Sequence, residues 1–120
     1  MSVDSAILGG MAYDEELAER VRAALGDQRG VVEKKMFGGL AFLVDGNMAV
    51  AASGQGGLLV HIDPADAESL TTQPGVRRME MRGREMDGWL RVTDSAVGDD
   101  ASLARWVTIG VTYARSLPAK

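Results

Sequence analysis

The stretch from Lys34 to Met48, Lys-Lys-Met-Phe-Gly-Gly-Leu-Ala-Phe-Leu-Val-Asp-Gly-Asn-Met, narrows the fold more than any other part of the chain. It reads as a strand, a glycine pivot, a second strand and a tight turn. Asp45-Gly46-Asn47 supplies residues that tolerate the positive φ angles of a hairpin turn. The same period of two predicts strands over residues 31–36, 40–44, 48–52 and 58–62, forming an antiparallel meander. Leu40, Phe42 and Val44 point one way while Ala41 and Leu43 point the other, so that strand is expected to be central and covered on both faces. The small residues of Met48-Ala49-Val50-Ala51-Ala52 suit the close approach of a helix across the sheet.

Helices frame this meander. Asp14 is placed to cap a helix running to about Leu25, with Glu15 and Glu16 in the first turn, where the helix dipole favours negative charge. Leu17, Val21, Ala24 and Leu25 share one face, and Gly26 ends the helix. Asp63-Pro64 reads as a cap followed by proline in the first helical position, opening a short helix through Leu70. Two further strands are predicted over residues 76–81 and 89–93, joined by a charged turn through residues 83–88. The last helix starts at Asp99 or Asp100 and runs to about Leu117, with Leu103, Trp106, Val107, Gly110, Val111 and Ala114 along one stripe. A glycine inside a helix costs about 1 kcal/mol relative to alanine, so Gly110 predicts a close contact. The order is α, four β, α, two β, α: an α+β fold with an antiparallel sheet flanked by helices.

With 120 residues the chain fits one domain. Residues 1–10 read as a flexible leader and residues 11–120 as the domain. The apolar run from Ala6 to Met11 is too short for a signal peptide or a membrane span. Cysteine is absent, which excludes disulfides, thiolate metal sites and a cysteine nucleophile, and fits a cytoplasmic location.

The chemistry that remains is sparse. His61 is the only histidine. It shares a strand face with Asp63, two residues on, which raises a base-and-orienter pair beside the loop of residues 54–57. The favoured reading is a partly exposed strand histidine. Ser53-Gly54-Gln55-Gly56-Gly57 lacks the Lys-Ser/Thr ending of a phosphate-binding loop and joins strand to strand. Asp63, Asp66 and Glu68 are explained by a helix start, and no ligand spacing for zinc or calcium is present. The expectation is a protein without catalytic residues, cofactor or metal. The methionines of the strand region are read as core filling, and Trp106 as core. Trp89 shares a face with Arg91; packing against a neighbouring strand or a twin subunit is favoured over stacking on a nucleobase.

A net charge of −4 opposes nucleic-acid binding by the whole surface. Arg77, Arg78, Arg82, Arg84 and Arg91 nevertheless fall close together, interleaved with Glu80, Glu85 and Asp87. A solvated charged face is the favoured reading of this hairpin.

Several landmarks recur in order along the chain: Lys35-Met36-Phe37-Gly38-Gly39, Val44-Asp45-Gly46, Leu58-Leu59-Val60-His61-Ile62-Asp63, Gly88-Trp89-Leu90-Arg91-Val92 and the Trp106-bearing helix. From about Tyr13 to Leu117 the sequence resembles the TfoX/Sxy N-terminal domain family, as a stand-alone single-domain member. The resemblance implies a compact α+β fold similar to secretion chaperones. It also implies kinship with regulators of natural competence, in which this domain precedes a second one and acts with a cyclic-AMP-responsive activator at promoters. The resulting expectation is a non-enzymatic cytoplasmic protein-interaction module, related to transcription or competence, with a protein partner or a homodimer at an exposed sheet edge. Its expected contact surface is Lys34, Lys35, Arg77, Arg78, Arg82, Arg84, Trp89 and Arg91. Two alternatives stand beside it: nucleic-acid binding through the basic hairpin, and a small-molecule binder or enzyme around His61.

Overall fold

The computed structural model describes residues 13–36 and 38–120; the leader expected over residues 1–10, and Phe37, lie outside the described residues. In chain order the elements are α1 (Glu15–Leu25), β1 (Val31–Met36), β2 (Gly39–Val44), β3 (Asn47–Ala52), β4 (Leu58–His61), α2 (Ala67–Leu70), β5 (Val76–Met81), β6 (Arg84–Val92) and α3 (Asp100–Ser116). Short 3-10 turns, Pro64–Asp66 and Ser95–Val97, precede α2 and α3. The strands form one six-stranded antiparallel sheet in the order β1-β2-β3-β4-β6-β5. The fold is α+β, with the element order read from the sequence.

Local chemistry accounts for the ends of these elements. The Asp14 carboxylate accepts from the backbone N–H groups of Glu16 (2.9 Å) and Leu17 (3.2 Å), which have no partner within α1. Asp63 accepts from Ala65 N–H at 2.9 Å and Asp99 from Ser102 N–H at 2.9 Å. Asp45 and Gly46 both have positive φ, 53° and 85°, as the tight β2–β3 hairpin demands.

Two expectations change. The inward stripe of α1 contains Ala18, and Ala24 is exposed. These alanines occupy opposite margins of the stripe: Ala18 joins the buried cluster, whereas Ala24 lines an open surface groove with Val107, Val111 and Thr112 of α3. The charged stretch over residues 83–88 is mostly strand, because Arg84, Glu85 and Met86 pair with Met81, Glu80 and Met79. The connection shrinks to Arg82-Gly83, both at positive φ. Charged residues on an exposed hairpin carry no hydrophobic alternation, so the period of two is invisible there.

One face of the sheet carries all the helical core residues. Trp106, Leu103 and Val107 of α3 and Leu17, Ala18 and Val21 of α1 join Phe42, Val50, Leu58, Val60 and Leu90 in one buried cluster. Gly110 lets α3 lie directly on β3, since a Cβ there would run into the Ala49 carbonyl oxygen. The bulge where β2 meets β3, between Phe42 and Leu43, places Ala49 and Val50 together in that cluster. Gly39 serves a similar purpose within the sheet, where a Cβ would collide with the Ala52 carbonyl.

The opposite face has a smaller cluster of strand residues only: Ala41, Ala51 and Leu59, rimmed by Met36, Leu43, Met48 and Met79. Ala41 is thus buried on this second face as expected, but by neighbouring strand side chains; among the described residues no helix lies over it.

Candidate functional site

The sheet face opposite the helical core cluster holds most of the chemistry-bearing side chains. Directly opposed residues of an antiparallel pair project to the same side, so the pairs Leu59–Arg91 and His61–Trp89 bring an arginine, a histidine and a tryptophan together with Leu59. On the next strand Arg77 lies opposite Arg91.

His61 is held on three sides. Its ring stacks on Trp89, with centroids 4.2 Å apart and planes 6° from parallel, and meets the edge of Tyr113 at 4.9 Å. Nδ1 lies 2.8 Å from the Met48 carbonyl oxygen, just beyond Val50–Val60, where the β3–β4 ladder stops. A carbonyl only accepts, so Nδ1 carries the proton and donates it. Burial pushes the imidazole pKa below its ordinary value; the Met48 hydrogen bond opposes this and the Lys120 charge reinforces it. At neutral pH His61 is uncharged.

Asp63 does not orient His61. It has left the strand and caps the 3-10 turn through Ala65, so the in-strand spacing that suggested a pair no longer holds. The loop of residues 53–57 adjoins the other end of β4, about 10 Å away along the strand. Trp89 packs against a neighbouring strand through His61, the favoured reading of that residue.

The arginines divide by partner. Arg78 donates to Asp87 at 2.9 Å and is neutralised. Arg91 donates from a terminal guanidinium nitrogen to Ser53 Oγ at 3.0 Å, and neither Arg91 nor Arg77 pairs with a carboxylate among the described residues. Desolvation, and then the neighbouring Arg77 charge, lower the Arg91 pKa. Arg91 stays protonated at any ordinary pH. Ser53, Gln55, Arg77, Arg78 and Arg91 line a concavity of about 340 Å³, floored by Leu59 and Met79. An apolar slot of about 70 Å³, lined by Leu59, Met79, Met81, Met86 and Trp89, adjoins it.

Arg82 and Arg84 are exposed at the tip of the β5–β6 hairpin. Lys34 and Lys35 belong to β1, the opposite edge of the sheet, about 24 Å from β5 measured along the sheet. As consecutive strand residues they face opposite sides, Lys34 across from Ala41 and Lys35 across from Leu40. The eight expected surface residues therefore lie in two separate regions of the sheet, two on β1 and six on β5, β6 and their turn. Ser53 and Gln55 have no local signal marking them; β6 pairing with β4 brings Arg91 to Ser53.

The described residues contain no group of three or more histidine, cysteine or acidic side chains placed to hold a metal, and no helix long and apolar enough to cross a membrane. The TfoX N-terminal domain matches the chain over residues 14–114. No curated protein and no solved structure gives a significant match.

Proposed function

Because the chain belongs to the TfoX N-terminal domain family, we propose that it is a non-enzymatic regulatory module that binds a protein partner through the β5–β6 hairpin and the sheet face beside it. The observation that carries this reading is the juxtaposition on that hairpin of Met81, 41% exposed, with an apolar slot and a row of arginines. Large apolar side chains beside arginine on an uncovered sheet face are the composition of a contact surface. The reading is further supported by His61, which is occupied in packing and lacks the carboxylate orienter of a general base. A cytoplasmic location, in the company of transcriptional machinery, belongs to the same proposal.

Nuclease-treated capture from native lysate with the full chain tests it. A specific protein retained by wild type and lost with Met81→Lys is the expected result. Equal capture by both chains, or capture abolished by nuclease, overturns it.

A further inference from the structure

We propose that the concavity between β4, β6, β5 and the loop of residues 53–57 is a binding site for a small organic phosphate monoester, with the phosphate held between Arg77 and Arg91. The inference goes beyond protein docking and does not rest on it.

Arg77 and Arg91 stand directly opposite each other on adjacent strands. Like charges in that relation repel, and here neither guanidinium has a carboxylate partner among the described residues. The arrangement is costly in a chain whose net charge is −4, where acidic side chains outnumber basic ones and neutralisation is the easier solution. Arg78, one residue from Arg77, shows that solution in its ion pair with Asp87. Glu80 also lines the concavity but forms an ion pair with neither arginine.

The remaining lining completes a phosphate site. Ser53 Oγ accepts from Arg91 at 3.0 Å and from Gln55 N–H at 3.0 Å, which orients the guanidinium and leaves the hydroxyl hydrogen free to donate. Arg91 is pinned before any ligand arrives, which reduces the ordering cost of binding. Two guanidiniums match the charge of a phosphate monoester dianion better than that of a single carboxylate, and their planar forks suit its oxygens. Leu59, Met79 and Met81 are shared with the apolar slot that ends at Trp89. A ligand with a phosphate at one end and a flat or apolar group at the other fills both concavities.

The test is an amide-resolved NMR titration of the full chain with phenyl phosphate, inorganic phosphate and phenol at constant ionic strength. Saturable shifts at Ser53, Gln55, Arg77 and Arg91 are expected, with phenyl phosphate tighter than inorganic phosphate and phenol without effect at the arginines. Arg77→Gln, at an exposed position, is expected to weaken phenyl phosphate by about tenfold or more. Arg82→Gln at the hairpin tip is expected to leave it unchanged. Arg91→Lys keeps the charge but removes the fork, and is expected to weaken binding as well. Shifts that do not saturate, shifts spread evenly over all basic residues, or wild-type affinity in Arg77→Gln would each overturn the site. Equal affinity for phenyl phosphate and inorganic phosphate would overturn the ligand class.

Discussion

The two faces of the sheet differ in what covers them. On the helix side Trp106, Phe42, Leu58 and Leu103 are almost wholly buried, and α3 approaches β3 so closely that Gly110 has no room for a side chain. On the other side the buried cluster comprises two alanines and a leucine, and what surrounds it is methionine, stacked aromatics and arginine. The first face carries the larger share of the buried core, and the second carries a smaller buried cluster beside two arginines that form no ion pair among the described residues. Uncovered apolar side chains and unneutralised charge on the same surface are the marks of a contact site.

Four measurements break or sharpen this contrast. Trp106→Ala empties the centre of the helix-covered face and should cost about 4 kcal/mol in urea unfolding. Leu59→Ala removes the one large side chain among the described buried residues of the other face and should cost about 2 kcal/mol, at the low end for a buried leucine. Equal losses for the two would break the contrast.

The third measurement concerns pH. Burial lowers the folded-state pKa of His61, so below its unfolded value near 6.5 the unfolded chain takes up a proton that the folded chain resists. The stabilising contribution is whole above that value and declines as pH falls through the window down to the folded pKa. Stability of the wild type should therefore drop between pH 7.5 and 5.5 by more than that of His61→Gln. Glu33, held below the usual carboxylate range by its hydrogen bond to Arg22, titrates at lower pH and leaves that window clear. Parallel profiles for the two chains would show that the stack against Trp89 does not exclude the charged imidazole.

The smallest effect is expected from Met81→Lys, which should shift stability by less than about 0.5 kcal/mol because the side chain is exposed. That near-absence of effect is what makes the substitution a clean probe of partner capture. A large destabilisation would place Met81 in the structural core and weaken the contact-surface reading.

Period and capping chemistry in the sequence determined the elements. Asp14, Asp63 and Asp99 mark helix or 3-10 starts because short acceptors satisfy N–H groups that have no partner within the helix. Asp45-Gly46 marks the hairpin because few residue pairs accept two positive φ angles. Gly110 announced a close contact because nothing else explains a glycine inside an apolar stripe. Only the tertiary structure decided that β6 lies between β4 and β5, since strand order depends on non-local pairing that leaves no trace in a local period. That choice set His61 against Trp89 rather than Asp63, and brought Arg91 to Ser53 and Arg77. The candidate site is therefore legible in the sequence as residue types but not as a constellation, because its members come from strands and a loop that meet only when the sheet closes.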